Sequence, residues 1–143
     1  MITSKVKSIR KGKNNVDLYD IIGIPNNHNF VAENMVIHNC DESVRFACTV
    51  ADTKIKTNKG EFEIKDLVGK KDFKVLSYNK KRERYEYKKA GKCIKVKKDI
   101  VYEIETEDGM KIKATKEHKF LTKEGVYKEL KDLKEGDEIY GTF

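Results

Sequence analysis

The chain has 143 residues, a formal net charge of +7, and hydrophobic and charged shares of 38% each, which suits one buried core and is too little for two full domains. No apolar run approaches the roughly 20 residues that span a bilayer, the N-terminus lacks the apolar core of a secretory signal, and three cysteines without paired spacing exclude a disulfide framework or a Cys-x-x-Cys metal site. The positive residues alternate with Asp and Glu nearly everywhere, which reads as a solvated sheet face rather than a nucleic-acid patch.

Short β-strands dominate in chain order. Lys5 to Arg10 and Asp17 to Ile24 are strand-like, and Phe30 to Ile37 reads as a tight hairpin turning at Glu33-Asn34. Cys40 to Ala47 has no clean period and reads as a loop between two cysteines. Asp52 to Ile64 alternates about Asn58-Lys59-Gly60, where glycine supplies the positive φ of a hairpin turn. Lys74 to Tyr78, Tyr85 to Lys97 and Val101 to Thr106 continue the pattern. Glu107-Asp108-Gly109 then turns the chain into Met110 to Ala114, apolar at every second position. Two segments suit short helices, Glu63 to Val68 and Tyr127 to Leu133. The fold class is all-β with many short, irregular strands.

The rarest residues carry the chemistry. There are three histidines, His28, His38 and His118, and three cysteines, Cys40, Cys48 and Cys93. His38-Asn39-Cys40 sets a proton carrier, a side-chain amide and a nucleophile side by side. If the Asn39 amide nitrogen closes on its own main-chain carbonyl, a five-membered succinimide forms and the following peptide bond breaks. A neighbouring imidazole assists because its pKa lies near working pH. Cys93 falls on an expected strand and reads as a core thiol, while Asp52 reads as ordering the turn after Cys48.

These residues resemble the intein family. Leu18-Tyr19-Asp20-Ile21-Ile22-Gly23-Ile24, His28-Asn29-Phe30-Val31-Ala32 and Val36-Ile37-His38-Asn39-Cys40 are similar to an intein's C-terminal end and its first flanking residue. Cys48 to Ile55 is similar to an intein's start, and Thr115-Lys116-Glu117-His118 to the family's Thr-x-x-His block. Leu130 to Tyr140, with Gly136-Asp137, follows as in the family. The likeness covers nearly everything except residues 40–47. It implies an all-β horseshoe of the Hint type with one or two short helices, in circularly permuted order. Residues 1–39 would be the C-terminal intein segment, 40–47 the flanking (extein) peptide and 48–143 the N-terminal segment, all in one folded domain. An eight-residue link reaches at most ~29 Å at roughly 3.6 Å per extended residue, enough to join two junctions at one site.

The resemblance also implies the chemistry, a single-turnover autocatalysis without cofactor or metal. Cys48 attacks the Ala47 carbonyl to give a thioester, with His118 as proton donor to the departing nitrogen and Thr115 supplying a hydrogen bond. Cys40 then takes the acyl group, with Asp20 tuning its thiolate. Asn39 cyclises with help from His38 and His28, and an S-to-N shift closes residues 40–47 into a ring. The protein would act on its own flanking peptide as a monomer, apart from nucleic acid and membranes, in a reducing cytoplasm. Two rival readings are a hedgehog-type autoprocessing domain, which lacks the His-Asn-Cys ending, and a basic β-rich nucleic-acid binder, which leaves the histidines unexplained.

Overall fold

Short strands, some alternating and some buried throughout, shape most of this protein, a computed structural model of which describes residues 2–38, 48–96 and 98–142. The strands are β1 (Thr3–Lys11), β2 (Leu18–Ile22), β3 (Asn29–Ala32), β4 (Met35–His38), β5 (Thr49–Val50), β6 (Lys54–Thr57), β7 (Gly60–Glu63) and β8 (Lys74–Asn79). They continue with β9 (Arg84–Lys89), β10 (Lys92–Lys95), β11 (Tyr102–Thr106), β12 (Lys111–Ala114), β13 (Lys119–Leu121), β14 (Tyr127–Glu129) and β15 (Glu138–Tyr140). In β12 the period of two is strict, with Ile112 and Ala114 buried and both lysines exposed. The all-β expectation holds.

Two sheets result among the described residues. One runs β10-β2-β5-β12-β11-β1-β15, and the other β14-β13-β4-β3-β6-β8-β9, with β7 beside β6. The sheet curls into a half-barrel. Both sheets contribute to one apolar cluster: Ile21, Ile104 and Ile112 from the first meet Phe30, Ile37 and Phe120 from the second. Each such side chain adds roughly 1.5–3 kcal/mol through burial.

The β3–β4 hairpin turns where the sequence places it. Glu33 and Asn34 have φ of 49° and 65°, the left-handed pair that a two-residue hairpin loop demands. The Lys54 N–H donates to the Glu33 carboxylate at 2.9 Å, which docks this turn onto β6. At the β6–β7 turn Gly60 takes φ of 118°, as the hairpin reading requires. The turn after β5 is ordered by Thr53 rather than by Asp52: the Thr53 hydroxyl donates to the Val50 carbonyl at 2.7 Å.

Two expectations change in detail. Glu63 to Val68 gives a single 3₁₀ turn over Ile64–Leu67, but Tyr127 to Leu133 divides into strand β14 and a 3₁₀ turn at Leu130–Asp132. The three-residue spacing of Leu130 and Leu133 fits a 3₁₀ turn, in which positions three apart eclipse. Tyr85 to Lys97 is likewise not one strand. It breaks at Ala90-Gly91, so that β9 ends one sheet and β10 ends the other. The Gly91 N–H donates to the Ile22 carbonyl at 2.9 Å, and a Cβ on Gly91 would lie 2.8 Å from that oxygen.

Candidate active site

Cys48 immediately precedes β5, a two-residue strand held between β2 and β12. Tyr19 pairs with Thr49 on one side and Ala114 pairs with Thr49 on the other. One step along these antiparallel registers sets Asp20 opposite Cys48 on one flank and Thr115 opposite it on the other. The Cys48 N–H donates to the Thr115 hydroxyl at 3.1 Å, and the Thr115 N–H donates to the Cys48 carbonyl at 3.0 Å. Cys48, Asp20 and Thr115 are all buried.

His118 follows through a tight turn. Its N–H donates to the Thr115 carbonyl at 3.1 Å, and its own carbonyl accepts the Leu130 N–H at 2.8 Å. The 3₁₀ turn after β14 therefore clamps the Thr115–His118 loop from outside. The imidazole is fully buried, and among the described residues neither ring nitrogen has a hydrogen bond of ordinary geometry. Burial drives its pKa down to about 3; the Cys48 main chain pulls the other way, and the His38 charge reinforces the depression. His118 is thus a neutral base at neutral pH.

His38 ends β4, opposite Asn29 on β3. Its ring lies 6.5 Å from that of His28, nearly parallel, and 4.9 Å from that of Tyr127 at 90°. His28 is solvent-exposed with φ of 53° and lines a cavity of about 430 Å³ with Gly23, Ile24, Pro25, Lys89, Ala90 and Gly91.

Of the eight residues singled out from the sequence, six are described, and they form one connected neighbourhood. Thr115 bonds Cys48, Asp20 faces Cys48 by register, His38 acts electrostatically on His118, and His28 stacks on His38. Asn39 and Cys40 lie outside the described residues. Cys93 stands apart as a core thiol: it is buried, donates to the Ile64 carbonyl at 3.2 Å, and has a pKa pushed up to about 12 by burial and then by the Asp20 charge. Among the described residues no three His, Cys, Asp or Glu side chains gather to hold a metal, and no helix is long and apolar enough to cross a membrane.

Two residues of this neighbourhood were not singled out from the sequence. Buried Asn29 donates from Nδ2 to the Tyr78 carbonyl and to the Tyr127 hydroxyl, each at 3.0 Å, and its Oδ1 accepts the Ser77 hydroxyl at 2.7 Å and the Tyr78 N–H at 2.8 Å. Tyr127, on edge strand β14, is the ring pressed on His38. An isolated Asn and Tyr at this separation have no period to betray them.

The intein splicing domain family model matches residues 53–142, a stretch that includes Thr115, His118 and Tyr127. A replicative DNA helicase, DnaB, from Synechocystis sp. is 39% identical over 70 residues, which is 49% of this chain and 8% of the helicase. The chain therefore spans a small fraction of that relative's length. With the match covering well over half of the sequence and the all-β fold in agreement, this chain belongs to the intein splicing domain family, whose activity is autocatalytic protein splicing.

Proposed function

We propose that this chain splices through Cys48, Cys40 and Asn39 and releases residues 40–47 as a ring. The observation that carries the reading is the 3.1 Å hydrogen bond from the Cys48 N–H to Thr115, because that nitrogen is the leaving group of the Ala47–Cys48 bond. Thr115 holds the amide in a fixed orientation, and orientation is a large part of what an intramolecular reaction needs.

Burial keeps His118 neutral in the resting state, so it enters the first step without a proton of its own. A neutral imidazole takes the Cys48 thiol proton as sulfur attacks the Ala47 carbonyl. It then returns that proton to the departing nitrogen, so the step is proton-neutral overall. The Cys40 thiol next attacks the thioester carbonyl, expelling the Cys48 thiolate, and Asp20 assists as the buried carboxylate of this site. The Asn39 side-chain nitrogen then attacks its own carbonyl and releases the Cys40 amine, with His38 and His28 handling protons. The freed amine takes the acyl group from sulfur and closes the amide ring.

We further propose the permuted order, with 1–39 and 48–143 as the two intein segments of one domain. The chain acts alone on its own peptide, apart from nucleic acid, in a reducing compartment that keeps its thiols free. Intact-mass spectrometry over time tests the scheme. The expected products are residues 1–39 ending in succinimide or its hydrolysis product, residues 48–143, and a cyclic octapeptide. Cys48→Ala stops ring formation yet permits cleavage after Asn39, and Asn39→Ala accumulates thioester releasable by added thiol. Cleavage of a Cys48→Ala/Asn39→Ala double variant at the parent's rate overturns the reading.

A further inference from the structure

We infer that Tyr127 is a positioning residue for His38, setting the imidazole for the cleavage after Asn39; the inference rests on the role proposed for His38. Three observations converge on it. The Tyr127 ring meets the His38 ring at 4.9 Å and 90°, the edge-to-face arrangement that aromatic quadrupoles favour. The His28 ring lies 6.5 Å from that of His38, inclined by only 21°, so His38 has a second aromatic neighbour. The Tyr127 hydroxyl is in turn held by Asn29 at 3.0 Å.

Asn29 makes the arrangement rigid. It sits directly across from His38 in the β3–β4 pairing, and its amide is anchored to Ser77 and to both main-chain polar groups of Tyr78. The strand that pairs with His38 therefore also fixes the ring that packs on it. The Lys80 ammonium lies 5.5 Å from the centre of the Tyr127 ring, adding a cation–π contact on this exposed side of the site. None of these contacts touches Cys48 or Thr115, so the direct effect of Tyr127 falls on the junction at Asn39 rather than on the first acyl shift.

The test measures the two junctions separately. Cleavage after Asn39 is followed by intact mass in a Cys48→Ala background, and thiol-induced release at the Ala47–Cys48 bond in an Asn39→Ala background. Tyr127→Phe keeps the ring contact and loses the Asn29 bond, and slows the Asn39 cleavage a few-fold. Tyr127→Ala slows it by roughly 10- to 100-fold, the range expected when a catalytic group is misplaced by about 1 Å, while thiol-induced release changes by less than about twofold. In a His38→Ala background Tyr127→Ala has no further effect, because the two act as one unit.

A residue with a merely structural role would slow both junctions and act additively with His38→Ala; either result overturns the inference. So does an unchanged rate in both Tyr127 variants. Should Tyr127→Ala fail to fold, the Tyr127→Phe rate and its dependence on His38 decide the matter. If His38→Ala itself leaves the Asn39 cleavage unchanged, the proposed role of His38 fails, and the inference fails with it. A slow His38→Ala beside a parent-like Tyr127→Ala overturns the inference alone.

Discussion

His118 combines total burial with a pKa near 3, against about 6.5 for a free imidazole. Folding therefore opposes its protonation. Above pH about 6.5 both the folded and unfolded chains carry it neutral, and stability is undiminished. Between about 6.5 and 3 only the unfolded chain takes up the proton, so stability falls on acidification by up to about 1.4 kcal/mol per pH unit from this group. Urea unfolding from pH 7 to pH 4 should show that decline, and a His118→Gln variant should show a shallower one. A second prediction concerns Cys93, whose thiol is buried and has its pKa raised to about 12. Thiolate is the reactive form, so brief treatment of folded protein with iodoacetamide should leave Cys93 unmodified by peptide mapping, and unfolding in urea should expose it.

Hairpins were the most legible elements because their turns are local. Glu33-Asn34 and Asn58-Lys59-Gly60 fall where the chain reverses, and each needs only its own residues to take positive φ. Less legible was the division of Tyr85 to Lys97, since it depends on the contact of Gly91 with Gly23 and Ile22 across the molecule. Gly91→Ala should cost about 1–3 kcal/mol in urea unfolding, the range for forcing a group into a packed site. At the candidate site the histidines and cysteines stood out as rare residues and Thr115 as part of a motif, whereas Asn29 and Tyr127 owe their importance to side-chain contacts made only in the folded chain. Asn29→Ala should lower stability by about 1–3 kcal/mol, because it strands the buried Tyr78 N–H and removes the donor to the Tyr78 carbonyl, while Ser77 keeps the Asn29 main-chain carbonyl; denaturant melts beside an exposed control such as Asn14→Ala would check it.

Across the whole molecule, residues 2–38 are woven into the rest. β1 lies between β11 and β15, β2 between β10 and β5, and the β3–β4 hairpin between β6 and β13. The segments 1–39 and 48–143 are both net basic, so charge does not hold them together; main-chain pairing and the shared apolar cluster do. Cutting the chain between residues 40 and 47 should leave the pieces co-eluting in size-exclusion chromatography at low and at 1 M salt, and separating in denaturant. The same weave governs biosynthesis. β1 leaves a ribosome before its partner β11, on the order of ten seconds earlier at ordinary elongation speeds. Until the segment bearing His118 has followed, Cys48 and His38 lack the proposed base of the first step, so the order of synthesis acts as a safety catch on the chemistry.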